Sequence, residues 1–575
     1  MSSDTAIEVT FPKLNNFWLD SGLLGLYELL REAEDGVLIT LDDGKITIRG
    51  NEETIEAALA RAYDELIKKY YDLSTQRQRD DTTLHNFYYD SARDVFIPFP
   101  KKKARGIARL IYDKAPRPAG TVVKWERKER REVEVKGKTV KRTRGVLPPS
   151  HAHLQQRMDA FLDAHGLDVT TNGLLVDRPN EIRPKIPKLR LVVQEGKRSS
   201  TCYLCGDDAD SFVDASQTVF PFITGSSGVR SFNTLAGRPE KVCWRCAFIG
   251  KFVPVNGFYM TRADQLFAFF PYSTSLSKMD DVYGMLRDFT FDDPNYAKNF
   301  EHFLPVGDYA EGFFQRPFEI AFAFFYTLYR KLLVHEQADD ERLVFDWDKM
   351  LEVTLARAPL EFIVVHVEKK GDTYLGKLVW PFRQTVYFFR LMNALSEAGV
   401  DVKQVMGLLV DSSKTQFEHK TLIRNRVCER ILKQKSVVSL IESYSFSADI
   451  SYMKPLVDFV ICYEDIVRKE GAMKPEEQET AVRLGKQIGK TVGDAARDKK
   501  GVGGGKGDLF ALRKVRKKVD FLSQLNRLQF KYSLSIPREV YEGKLTDTNY
   551  AEFKSFCMLA ALNSFNAAAR SREEE

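Results

Sequence analysis

Four of the seven cysteines in this 575-residue chain fall into two identical spacings, Cys202/Cys205 in TCYLCG and Cys243/Cys246 in KVCWRCA. Three chemistries use Cys-x-x-Cys: a redox dithiol, a disulfide staple, or half of a metal site. A thioredoxin-like dithiol needs one such motif at a helix start after a strand, not two motifs joined by 37 residues. A secreted disulfide framework is far denser in cysteine. The opening MSSDTAIEVT has no basic-then-apolar run of a secretion signal, so a reduced, cytoplasmic setting is expected. Zinc accounts for both halves at once. It takes four tetrahedral ligands at about 2.3 Å from sulfur, and a two-residue gap lets one tight turn present two thiolates to one metal. Cys202, Cys205, Cys243 and Cys246 are therefore the expected zinc ligands, clipping the base of the long segment between them. Four thiolates leave no open coordination position, which points to a structural rather than a catalytic metal. Cys428, Cys462 and Cys557 stand singly in apolar helical patterns.

No catalytic constellation is visible elsewhere. GVGGGKGD, around Gly503 to Lys506, lacks the full GxxxxGK[ST] phosphate-loop pattern, because Gly507 follows the lysine and a helix rather than a strand precedes it. The eight histidines are scattered, with only His151 and His153 close together, and HEQADDE from His335 reads as an exposed acidic loop. No HD pair, GGDD or GxSxG occurs. The expectation is a protein that is not an enzyme.

Charge carries more information in its distribution than in its net value of +6. Between Lys101 and Arg144 there are 17 basic and 5 acidic residues, and between Arg483 and Lys531 there are 14 and 4. A smaller basic stretch spans Arg183 to Arg198. Separated basic blocks on an otherwise acidic chain suit a polyanion, bound through phosphate neutralisation and counterion release. The 40 phenylalanines and 23 tyrosines are read as core rather than as base-stacking platforms.

The elements that must position these residues follow from periodicity. A short strand, IEVTFP, leads into an apolar helix, FWLDSGLLGLYELLREAEDG, and VLITLDDGKITIRG alternates about a turn at Asp43 and Gly44 as a hairpin. Residues 52 to 72 form a second amphipathic helix. TVVKWERKERREVEVKGKTVKRTRG alternates about Lys136 and Gly137, predicting a basic β-ribbon with a flexible tip. A helical stretch is predicted from about Ala152 to Leu174, and a further hairpin turns at Lys370 and Gly371. FEIAFAFFYTLYRKLL is too short and too charged at its end to span a membrane, so it reads as a buried helix. Beyond Pro381 apolar residues recur at three and four positions through a helical region. GDAARDKKGVGGGKGD is read there as a break, and DLFALRKVRKKVDFLSQLNRL as one helix with an apolar stripe of Leu512, Val515, Val519 and Leu522. The fold class is α+β and multi-domain. Its expected parts are an N-terminal α+β part with the basic ribbon at 1–198, a zinc-bound insertion at 199–250, a continuation of the α+β region at 251–380, and an all-helical bundle at 381–575.

TCYLCG and KVCWRCA, flanked by an N-terminal part with FWLDSGLLGLYELL and a tail with LFALRKVRKKVDFLSQLNRL and YSLSIPREVY, resemble the large subunit of a type I CRISPR Cascade. More narrowly, the chain is similar to the CXXC-CXXC family of type I-B-like large subunits, nearly end to end. The resemblance implies a non-catalytic part of a prokaryotic, cytoplasmic antiviral surveillance complex. There the guide RNA reads sequence by pairing while protein reads the short flanking PAM. Such subunits cap the guide RNA 5′ end, recognise the PAM on double-stranded target DNA, stabilise the R-loop and recruit the helicase-nuclease. They sit among backbone and small subunits of Cascade, and their helical tail, itself like the small subunit, follows the displaced strand. Where that tail is also made from an internal start, Met453 and Met473 are the candidates here. On that frame Lys101, Lys102, Lys103 and Arg105, with the ribbon's Lys124, Arg127, Arg130, Lys136, Lys141 and Arg142, would meet PAM-side duplex or guide backbone. Arg230 and Asn233, between the cysteine pairs, would touch DNA, and Arg513, Lys514, Arg516, Lys517 and Lys518 would track the displaced single strand. Two rival readings stay open: a zinc-dependent nucleic-acid scaffold outside CRISPR, and a zinc-containing nuclease.

Overall fold

The computed structural model describes residues 6–32, 36–111, 117–135, 138–192, 200–216, 219–221, 241–262, 264–286, 314–337, 340–354, 361–371, 373–448, 450, 452–467, 473–498 and 502–570. The fold is mixed, with the sheets in the N-terminal region and a helical C-terminal region. The chain divides into two compact units, Met1–Phe300 with Val353–Arg383 and Glu301–Glu352 with Gln384–Glu575.

In the first unit, helix α1 (Phe17–Arg31) starts where the Asn16 side chain accepts hydrogen bonds from the Trp18 and Leu19 amides. It is buried almost all round. Gly22 and Gly25 make that possible: a Cβ at either would overlap the carbonyl oxygen of Ile249 or Phe252, so the segment after the second cysteine pair crosses α1 at backbone distance. Strands Ile7–Pro12, Lys45–Gly50 and Leu38–Asp42 form an antiparallel sheet in that order, the last two being the expected hairpin. Helix α2 (Glu52–Leu66), capped by Asn51, continues as a wider turn to Tyr71. Strands Phe258–Arg262, Gln265–Tyr272, Glu361–Lys370 and Thr373–Phe382 make a four-stranded antiparallel sheet, including the hairpin expected at Lys370 and Gly371.

A second, smaller core gathers Phe87, Leu147, Leu154, Met158, Leu162 and Leu174. The helix predicted over 152–174 is shorter here. Helix α3 (Gln155–His165) stops at Gly166, whose φ of +64° ends it in the left-handed cap, and Gly173–Val176 is a strand. The basic ribbon is present as Arg127–Val135 paired antiparallel with Lys138–Val146. Thr121–Lys124 does not belong to it. That strand joins a separate four-stranded sheet, with Lys124 opposite Gly173.

The zinc insertion expected at 199–250 is not a module of its own. Cys202, Val242, Cys243, Trp244, Cys246 and Phe248 lie in the same apolar core as α1 and α2. The ring of Trp244 meets Phe11 edge-on at 5.9 Å. Helix α4 (Trp244–Ile249) thus carries the second cysteine pair into the centre of the unit.

The stretch expected to continue the α+β region to 380 also divides. Helix α5 (Pro317–Leu333) belongs to the second unit, and the chain returns to the first with the hairpin Glu361–Lys370 and Thr373–Phe382. The acidic stretch from His335 is part of a hairpin, Val334–Gln337 with Asp340–Phe345. Buried Glu319 of α5 pairs with Arg424 of helix α6 (Leu422–Leu432) at 3.1 Å, both side chains fully covered. Helix α7 (Val438–Ser447) is capped by the Glu464 carboxylate, which accepts from the Val437 and Val438 amides.

Helices α8 (Pro475–Asp498) and α11 (Tyr550–Arg570) pack along much of their length. Gly485, Gly489 and Gly493 recur every four residues on α8, and a Cβ at the first two would overlap the carbonyls of Cys557 and Ala561. The predicted glycine-rich break is helical from Val502 onward as α9 (Val502–Lys514), where a Cβ on Gly505 would crowd Ala496 and Phe565. The single helix predicted across 508–528 is two. α9 ends at Lys514 and α10 (Lys518–Tyr532) begins on a new register, leaving Val519 70% exposed and burying Phe521, Leu525 and Leu528. Lys554 and Tyr550 of α11 donate to the Val515 carbonyl at 2.8 and 2.9 Å, satisfying the backbone that the break leaves open. Among the described residues, no helix is long and apolar enough to cross a membrane.

Candidate metal centre and basic surfaces

The first cysteine turn is closed by its own backbone. Ser200–Thr201 pairs with Asp208–Ala209, the Cys202 amide donates to the Asp207 carbonyl at 2.8 Å, and the Gly206 amide donates back to Cys202 at 2.9 Å. Gly206 has φ +77°, a conformation natural to glycine. The second pair sits at a strand-to-helix junction: Lys241–Cys243 pairs with Phe212–Asp214, and Cys246 follows one helical turn after Cys243, on the same face. The two turns are stitched together. The Tyr203 amide donates to the Lys241 carbonyl at 2.9 Å, and the Cys243 and Leu204 amides point at the Cys202 sulfur at 3.3 and 3.4 Å.

The result is that all four Sγ atoms lie within 4.8 Å of one another, so that they can hold one metal ion. The Cys205 and Cys243 sulfurs are 3.8 Å apart. That matches the edge of a tetrahedron with metal–sulfur bonds of about 2.3 Å, which is about 3.8 Å, and is far from a disulfide bond of about 2.05 Å. Hydrogen bonds within the cluster hold the Cys202 thiol well below the ordinary thiol range, Cys205 contributing most, and push the Cys205 and Cys246 thiols above it, so the four share their protons as one group. Amides aimed at a sulfur favour its anionic, metal-binding form in the same way. Cys202, Cys243 and Cys246 are buried. Cys428 and Cys557 are buried elsewhere, their thiols pushed up by burial.

The basic residues sort by what faces them. In the ribbon, strand alternation puts Arg131, Arg142 and Arg144 on one face, where Asp159, Asp168 and Asp163 pair with them. Arg127 shares this face and pairs with Glu129. The opposite face carries Lys128, Arg130 and Lys141, all exposed. Among the described residues Lys128 and Arg130 make no ion pair, and Lys141 has only a loose one with Glu132 at 3.8 Å. Lys128 was missed in the sequence, although the same alternation that places Arg130 on the outward face places Lys128 there too. Lys124, on its separate sheet, is exposed. Lys136, Arg230 and Asn233 lie outside the described residues.

Further along, Lys102 is bound to Asp72 at 2.5 Å, while Lys101 and Lys103 have no ion pair among the described residues. Arg105 donates to the Gln78 side chain at 2.7 Å. In the second unit Arg513 is committed internally, to Glu442 at 2.7 Å and over the ring of Phe446 at 5.0 Å, and Lys518 pairs with Asp547 at 2.9 Å. Lys514 and Arg516 open onto a cleft of about 890 Å³ whose lining also includes Lys435, Lys554 and the carboxylates Glu442 and Glu552. Lys517 is exposed. The expected row of five cations is thus reduced to three outward ones, Lys514, Arg516 and Lys517. Compared with known proteins, the chain matches no family model and no curated sequence.

Proposed function

We propose that this chain is a non-catalytic, zinc-stabilised nucleic-acid-binding subunit, and that it serves as the large subunit of an RNA-guided type I CRISPR surveillance complex. The observation that carries the nucleic-acid reading is the division of the ribbon. One face has its arginines neutralised by Asp159, Asp163 and Asp168, while the other presents Lys128, Arg130 and Lys141 without equivalent partners. Lys128 and Arg130, held on a strand pair with no carboxylate partner among the described residues, suit a phosphate backbone. Four soft thiolates in a tetrahedral set suit zinc, and a full set leaves no position for a reacting water, which favours a structural role over a nuclease. The resemblance carried by the two cysteine motifs and the flanking segments then supplies the context: guide RNA, PAM-bearing DNA, backbone and small subunits, and a recruited helicase-nuclease, in the cytoplasm of a prokaryote.

Two measurements test this. The chain is expressed with its neighbouring genes and purified through a tag; a discrete short RNA with stoichiometric subunits is expected. A chain that elutes alone, without RNA, would favour the zinc-dependent scaffold outside CRISPR, and Mg²⁺-dependent cleavage by the isolated chain would favour a nuclease. Separately, Lys128→Glu with Arg130→Glu should flatten the log–log salt dependence of nucleic-acid binding by about 2. The same change at Arg142, already paired, should alter it less, and equal effects on both faces would refute the role assigned to the ribbon.

A further inference from the structure

The first unit holds another group of cations, on different elements from the ribbon. A cavity of about 480 Å³ is lined by Arg77, Lys103, Arg105 and Arg109, with Thr261 beside them, and its lining contains no carboxylate. Of these, Arg77, Lys103 and Arg109 have no ion partner among the described residues; like charges around one void repel one another, and that cost is relieved when an anion shares the space. Lys103 registers the crowding: burial, then the neighbouring Arg109, Lys369 and Arg105, push its ammonium below the ordinary lysine range.

The backbone is shaped for this convergence. Gly106 adopts φ +51°, and a Cβ there would overlap the ring of Tyr259, so only glycine lets the chain turn here. The tight turn Gly106–Leu110 then carries Arg109 back to the cavity that Arg105 also lines. Both guanidinium groups are held in advance. Arg105 donates to Gln78, itself fixed by a reciprocal capping interaction with Thr75, and Arg109 lies over the ring of Tyr374 at 5.6 Å. Preset donors lose less freedom on binding than floppy ones.

We infer that this cavity binds a phosphate group through Arg77, Lys103, Arg105 and Arg109. The inference rests on the nucleic-acid reading for the source of that phosphate, either a strand's 5′-terminal phosphate or an internal phosphodiester. The cavity has room for an attached nucleoside.

The test compares the full chain with its Lys103→Ala/Arg109→Ala variant, using inorganic pyrophosphate, a short 5′-phosphorylated RNA and its 5′-hydroxyl twin. Far-UV circular dichroism and metal content must match between the two proteins; if they do not, Lys103→Gln takes the place of the double variant. The variant is expected to bind RNA about tenfold more weakly, with a log–log salt slope shallower by about 2. The rise in melting temperature that pyrophosphate gives the unaltered chain should disappear. A preference of the unaltered chain for the 5′-phosphorylated RNA assigns a terminal phosphate, and equal binding of the twins assigns a phosphodiester; both support the inference. Unchanged RNA affinity, salt slope and pyrophosphate shift in the variant would overturn it and leave the nucleic-acid reading standing. A pyrophosphate shift lost in the variant, with no RNA binding by either protein, would keep the cavity and overturn that reading. No response to any probe by the unaltered chain would overturn both.

Discussion

Around the four thiols of the first unit, strand pairs of two and three residues offer one another little surface, and what holds them is the thiol cluster together with α4, which is anchored in the apolar core. In the second unit, α8 and α11 pack along much of their length, their backbones brought close by three glycines. One junction relies on something that the chain must bind, the other on side chains that are missing. The two should therefore fail differently.

The largest effect is expected from Cys246→Ser. A metal that binds the folded cluster and not the unfolded chain adds its binding free energy to the stability of the first unit. Metal content should fall and the first unit should lose its cooperative melting transition while the second keeps its own. Unchanged metal content would break the comparison at its root. Next is Glu319→Ala, which takes the buried carboxylate away from the fully buried Arg424 and should destabilise the second unit by about 3–5 kcal/mol. Denaturant melts would detect it, with metal content unaltered. Gly489→Leu forces α8 off the Ala561 carbonyl and should cost the same unit about 1–3 kcal/mol; a neutral result would show that the helices have slack.

The smallest effect sharpens the first unit alone. His366, stacked on Phe267 at 4.2 Å and 3°, is buried, and its pKa is lowered to about 4 from 6.5. Between those values the unfolded imidazole takes up a proton that the folded one refuses, so stability falls as pH drops from about 6.5 to 4. His366→Leu should make the acid dependence of melting shallower in that window, and an identical profile would assign it to other groups.

What could be read beforehand follows the range of the forces involved. The two cysteine pairs announced a site because their spacing is itself the chemistry, and the hairpins at Gly44 and Gly371 and the pairing of the ribbon strands were legible because turn and alternation are local signals. The break between α9 and α10 was not, because Lys554 and Tyr550, more than a full helix further on, supply the donors that let it stand. Gly503 to Gly505 looked like loop composition. Only the four-residue recurrence of Gly485, Gly489 and Gly493 hinted that glycine here serves close helix packing. The cations of the cavity were partly named, Lys103 and Arg105, but Arg77 and Arg109 arrive from elements whose meeting no local pattern records.

The chain's double crossing between units bears on the timing of synthesis. Strand Gln265–Tyr272, rich in phenylalanine, pairs with Glu361–Lys370 over its whole length, yet residues 273–360, including all of α5, must be made in between. At about 5–20 residues per second the wait lasts on the order of several seconds. Throughout it one edge of an apolar strand stands open to the wrong partner. A nascent chain stalled at Phe345 should therefore engage chaperones more strongly than one released beyond Phe382, where that edge is closed.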